Sequence, residues 1–187
     1  DLGPAPRSAS VAISSCTCWD KRGTHEMTSK PAAYNAIQLE VLWTRLISIV
    51  DEAAKAIVRT AFSTLSNEAN DFACVLTDAC GRSLAQNSGS IPSFIATLPA
   101  TVRHFLDHIG AENMRPGDIL VTNDPWKGTG HLPDFTVVSP AFRKGKMVAL
   151  FASTTHVVDI GGIGMSPDGK QVYHEGLFVP IMPLALK

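Results

Sequence analysis

The sequence has no surplus of charge of either sign: 16 basic against 17 acidic side chains leave a net charge of -1. A nucleic-acid partner calls for a basic surface that neutralises phosphates, so none is expected. Long apolar runs are also missing. The longest, such as Met147 to Phe151, fall far short of the roughly 20 residues that span a bilayer, and no membrane association is expected. Cysteine is sparse, and Cys16, Cys18, Cys74 and Cys80 have neither zinc-knuckle spacing nor nearby histidine partners. They read as unpaired thiols of a reducing compartment, which points to the cytoplasm. Phosphate-binding P-loops, dinucleotide fingerprints and nucleophile-elbow serines are absent as well, which speaks against a nucleotide site or a serine nucleophile.

What is present suits a globular protein, with 45% hydrophobic and 18% charged residues among 187. A chain of this length can bury ~70% of its unfolded surface in one domain. The low charged fraction leaves part of that surface to meet a partner. Residues 1–30 are rich in Ser, Pro, Gly and Thr without apolar periodicity, and read as a disordered leader. Residues 31–187 form the candidate domain, whose apolar end, lacking a cap or polar tail, reads as a truncation.

From Asn35 to about Ser66, apolar residues such as Ile37, Val41, Leu46, Val50, Ala54 and Ile57 recur at three- and four-residue steps. This predicts one long amphipathic helix, with Asn35 and Gln38 as its capping box and Glu40, Arg45, Asp51, Glu52, Lys55 and Arg59 on its solvated side. Asp71 to Asp78, a Gly-containing turn and Ser83 to Gln86 predict a hairpin. Ser88 to Pro92 reads as a loop, and Thr97 to Ile109 as a helix stopped by Gly110. His104 and His108 share a face of that helix and read as surface histidines. Asp118 to Thr122 reads as a strand, and Phe135 to Phe142 with Met147 to Thr154 as a second hairpin.

The most chemically loaded stretch is the loop Asn123 to Asp134, where Pro125, Gly128, Gly130 and Pro133 forbid a helix. His131 and Asp134 lie three residues apart there. A return strand ending near Thr155 would bring His156 beside them, giving two imidazoles and one carboxylate with positions left open. Ligands of nitrogen and oxygen without sulfur suit Mn²⁺, Fe²⁺ or Zn²⁺. Asp124 and Asp159 are candidates to orient a histidine or accept a proton, and His174 with Glu175 to supply acid-base function. A plainer account fits the same spacing: loop and strand-end histidines bonded to backbone, with Asp134 capping a turn.

At Asn123-Asp124-Pro125, Gly130-His131-Leu132-Pro133-Asp134, His156-x-x-Asp159-x-Gly161-Gly162 and Glu175-Gly176-Leu177, the chain resembles the hydantoinase B/oxoprolinase family. The family includes the N-methylhydantoinase B subunit, the C-terminal part of 5-oxoprolinase, and the alpha subunits of acetone and acetophenone carboxylases. The resemblance runs from about Gln38 to the end. It implies a divalent metal at His131, Asp134 and His156, and a hydantoinase A-like ATP-using subunit or domain as partner in a hetero-oligomer. That partner phosphorylates a small cyclic-amide substrate, and the metal, as Lewis acid and activator of water, completes ring opening. Two departures stand out. Relatives usually continue for several hundred residues more, so the resemblance implies an amino-terminal portion, and many carry a histidine where this chain has Ser93 after Ile91-Pro92.

The fold class expected is α+β (mixed α/β): a long amino-terminal amphipathic helix with antiparallel β-hairpins carrying a loop-borne metal site. The function expected is the metal-dependent part of an ATP-dependent cyclic-amide hydrolase. A carboxylase alpha subunit is the alternative within the family. Outside it stand a non-haem iron oxygenase using the same three ligands and a non-catalytic assembly fragment.

Overall fold

A computed structural model describes residues 34–61, 63–164 and 166–187, and the expected leader with Cys16 and Cys18 lies outside them. The order is α1 (Ala36–Thr60), α2 (Thr64–Asn67), β1 (Phe72–Asp78), β2 (Ser83–Gln86), α3 (Pro92–Ile109), β3 (Ile119–Thr122), β4 (Asp134–Arg143), β5 (Lys146–His156) and β6 (Met182–Ala185). The strands form one sheet in the order β2-β1-β5-β4-β3-β6, every pairing antiparallel. This is the mixed α/β architecture expected.

Strand alternation sends successive side chains to opposite faces, and each face meets one helix. On β1, Ala73 and Val75 join Phe94, Leu98, Val102 and Phe105 of α3, together with Val138 of β4 and Leu150 and Ala152 of β5. Their neighbours Phe72 and Cys74 turn the other way, to Val50 and Ala54 of α1. The α3 face holds the larger core, where Leu98, Val102 and Phe105 are fully buried. Each such side chain contributes about 1.5–3 kcal/mol of apolar transfer.

Both hairpins form where expected, as does the capping box: Asn35 Oδ1 accepts from Gln38 N at 2.8 Å and Gln38 Oε1 from Asn35 N at 3.0 Å. Three local expectations need correction. The first helix ends at Thr60 with an extended Ala61, and α2 is a separate turn whose buried Ser66 hydroxyl faces the His156 carbonyl. The second helix begins at Pro92, five residues before the expected start, because proline at the first helical position needs no N–H partner. Pro99 then lies inside it. Finally, Cys80 is disulfide-bonded rather than a free thiol.

The amino-terminal half of α1 extends past the sheet. Ile37, Val41 and Trp43 are 76%, 59% and 61% exposed, while only Val50 and Ala54 of the helix are buried, because β1 and β2 reach only its carboxy-terminal half. Among the described residues, no helix is long and apolar enough to cross a membrane.

Two measurements check this core. Phe105→Ala is expected to destabilise the fold by about 3–5 kcal/mol in denaturant titration, the cost of losing a buried ring and leaving a cavity. Burial pushes the Cys74 thiol up to about 12, so the native protein should leave Cys74 unalkylated by iodoacetamide at pH 8, whereas the denatured chain reacts. Because the folded state holds this proton more tightly than the unfolded one, the associated stability is complete below about pH 9 and is lost as pH rises through about 12.

Candidate metal centre

Strand register sets the site. The long hairpin pairs Asp134 with His156, Phe135 with Thr155 and Thr136 with Thr154, so the first residue of β4 stands opposite the last of β5. Asp134, Thr136 and Val138 share a face with Thr154 and Ala152, continuing the α3-facing side of the sheet to its end. The Thr136 and Thr154 hydroxyls bond each other at 2.7 Å directly beneath the pair. Asp134 and His156 are both buried. His156 Nδ1 lies 2.9 Å from Asp134 Oδ1 and 3.8 Å from Asp71 Oδ2. The other Asp134 oxygen accepts from the Thr129 hydroxyl.

His131 arrives from the loop. Its ring lies 5.1 Å, centroid to centroid, from that of His156, tilted by 30°. Its Nδ1 is 2.9 Å from Glu175 Oε2, and the same oxygen accepts from Leu132 N at 2.8 Å. An ionised carboxylate only accepts, so Nδ1 is the donor to it and Nε2 is the ring nitrogen turned away from Glu175.

The trio predicted from spacing is thus brought together, with one ligand atom from each of His131, Asp134 and His156 lying within 4.8 Å of the others. Donors on one cation, at about 2.0–2.2 Å each, are separated by up to ~4.2 Å, so these side chains stand close to the spacing a cation needs. The donor set fits a borderline divalent ion, and a cation would offset the cost of burying the Asp134 charge.

The remaining candidates have other partners. Asp124 is buried on the same loop, accepting from Trp126 N at 3.0 Å and paired with Lys127 Nζ at 2.9 Å. Asp159 is exposed and caps a turn by accepting from Gly161 N at 2.8 Å. His174 Nδ1 accepts from Lys170 N at 3.4 Å, and its Nε2 lies 3.2 Å from Gln171 Nε2. Glu175, considered for acid-base work, is the carboxylate on His131.

Sequence reasoning missed two polar groups and an aromatic row. Asn123 is buried and pins the loop at both ends, donating from Nδ2 to the Leu132 and Leu177 carbonyls at 2.8 Å each and accepting from Val179 N at 2.6 Å. Thr129 reaches Asp134 from within the loop. The signal for Asn123 was a polar residue directly after an apolar strand; Thr129 gave none. Trp126, Tyr173 and Phe178 form a row with ring centroids 5.9 and 6.1 Å apart, assembled from segments too distant for sequence to link.

Comparison with known proteins bears on the family and the fold. The family model for hydantoinase B/oxoprolinase matches residues 35–187. The chain is 39% identical over 145 residues to 5-oxoprolinase 1 of Arabidopsis thaliana, covering 76% of this chain and 11% of that protein. Its fold is similar to the nucleotide-free structure of acetone carboxylase, with a TM-score of 0.70 and 23% identity over 78% of this chain and 20% of the other. It is similar also to the ATP-dependent caprolactamase of Pseudomonas jessenii, with a TM-score of 0.68 and 24% identity, covering 82% of this chain and 27% of that one. The chain thus spans about a tenth of the plant relative and a fifth to a quarter of the solved chains. With a family match reaching across nearly all the described residues and the motif residues converging on one site, this chain belongs to the hydantoinase B/oxoprolinase family.

Proposed function

We propose that this chain carries the metal centre of an ATP-dependent enzyme that opens a small cyclic amide of the hydantoin or oxoproline kind. The observation that carries the reading is the convergence of His131, Asp134 and His156 across a strand pairing in register. The cyclic-amide substrate class is supported by the relative named 5-oxoprolinase and the neighbour named caprolactamase. ATP use is supported by the same neighbour, whose caprolactamase is ATP-dependent. It is assigned to a hydantoinase A-like subunit or domain, because this chain has no phosphate-binding loop and spans only a fraction of its relatives. A hetero-oligomeric or multidomain assembly in the cytoplasm belongs to the same proposal, although the Cys80 disulfide is uncommon in a reducing compartment.

His131, Asp134 and His156 would hold Mn²⁺, Zn²⁺ or Fe²⁺. A cation there supplies Lewis acidity, polarising the substrate carbonyl and lowering the pKa of water. The chain's own contribution is placement. Asp134 and His156 sit at rigid strand ends, with Thr129 on the remaining Asp134 oxygen and Asp71 beside His156. Asp124 and Asp159 are the candidates to accept a proton during ring opening. Asp124 is held by Lys127, whereas Asp159 is exposed and His174 half-buried, and both need substrate or partner to bring them into play.

Metal analysis of the full-length protein beside His131→Ala and His156→Ala is the direct test. The wild type is expected to bind about one equivalent, and each variant much less; equal content in all three would reject the site. Turnover with the purified partner separates the second reading, a carboxylase, which the acetone carboxylase fold supports. Ring opening should proceed without bicarbonate, and a strict bicarbonate requirement would favour carboxylation. Oxygen consumption with bound iron would instead indicate an oxygenase.

A further inference from the structure

Glu175 lies 44 residues beyond His131 in sequence and yet accepts from both the His131 ring and the Leu132 amide. The contact depends on a close approach of two backbones. Segment 160–163 runs against 174–177: Gly161 and Gly176 form an isolated antiparallel bridge, Ile163 N donates to the His174 carbonyl at 2.9 Å, and Leu177 N donates to the Ile160 carbonyl at 2.9 Å. At this crossing only glycine fits. A Cβ on Gly162 would stand 2.3 Å from the Glu175 carbonyl carbon and oxygen, and one on Gly176 would stand 2.6 Å from the Ile160 carbonyl oxygen, while Gly176 itself has φ +142°. The Gly161-Gly162 pair follows closely on His156, and Gly176 follows Glu175 directly. The glycines therefore tie the strand that ends in one histidine to the carboxylate that holds the other.

We infer that Glu175 is a positioning residue for the metal centre, fixing the His131 ring with Nε2 free to ligate, and that Gly162 and Gly176 serve to bring it there. This rests on the metal reading of His131, Asp134 and His156. Two hydrogen bonds converge on the same Oε2, so the carboxylate orients the ring and at the same time anchors the loop backbone at Leu132. Orienting carboxylates of this kind raise the basicity of a ligating histidine and reduce the ordering needed when metal binds.

The test is Mn²⁺ and Co²⁺ titration of the metal-free full-length protein by calorimetry, for wild type, Glu175→Ala, Glu175→Gln and Gly162→Ala. Glu175→Ala is expected to bind 10–100-fold more weakly. Glu175→Gln keeps an acceptor oxygen and should recover part of the loss, an ordering that a purely space-filling role would not produce. Gly162→Ala should weaken binding by a similar factor although Glu175 is intact; if that variant fails to fold, the two Glu175 variants decide. Wild-type affinity in both Glu175 variants would overturn the inference and leave the metal site standing, and unchanged affinity with lost turnover would give Glu175 an acid-base role instead. Absence of binding by the wild type would sink the metal reading and this inference with it.

Discussion

The site depends on the register of one β-hairpin. Pairing continues from Asp134 opposite His156 to Ala141 opposite Ala149, and the irregularity in the ladder falls beyond that, between Ala141 and Phe142 near the turn. A one-residue slip of β4 against β5 would put Asp134 on the opposite face from His156 and take Val138 out of the core. The hydrophobic core and the candidate ligands are therefore specified by the same alternation. Whatever stabilises the apolar half of the hairpin also holds the polar end in place.

The two histidines are supported in different ways. His156 belongs to a central strand, with β1 on one side and β4 on the other, and its own amide donates to the Asp71 carbonyl at 3.1 Å. His131 sits in an irregular loop, where backbone groups find partners one at a time. Asn123 meets the Leu132 carbonyl and ties the loop to the Leu177 carbonyl and the Val179 amide, the Pro133 carbonyl accepts from Val157 N at 2.8 Å, and Glu175 accepts from Leu132 N. A loop next to a buried carboxylate needs this complete polar accounting, because each unmet buried group costs about 1–3 kcal/mol. Among the described residues, no buried side-chain nitrogen or oxygen lacks a partner.

Much of this was legible in the sequence because it is local. The Asn35 and Gln38 box, the alternation in Phe72 to Asp78 and the hairpin that returns His156 to Asp134 all follow from spacing and turn chemistry within one or two elements. The rest required knowing which distant segments touch. Pro92 and Pro99 concealed the first turns of α3, since proline starts a helix in one context and interrupts it in another. The pairing of β6 with β3 and the contact of Glu175 with His131 depend on chain reversals of more than 40 residues, for which periodicity carries no signal. The apolar period of α1 marked Val50 and Ala54, which are buried, but also Ile37 and Val41, which are exposed because the sheet ends halfway along the helix.

Charge is the physical ground for proposing a cation at the trio. Asp134 is buried, its carboxylate meeting one histidine ring and one hydroxyl, and among the described residues no Lys or Arg side chain pairs with it. A divalent ion at the proposed site would supply the positive charge that no neighbouring Lys or Arg provides. His131, half-buried beside it, lies where a ligand from solution can approach. Two of the proposed donors are thus buried at strand ends and the third is half-buried in the loop, so a cation there would be held from the sheet side and reached from the loop side.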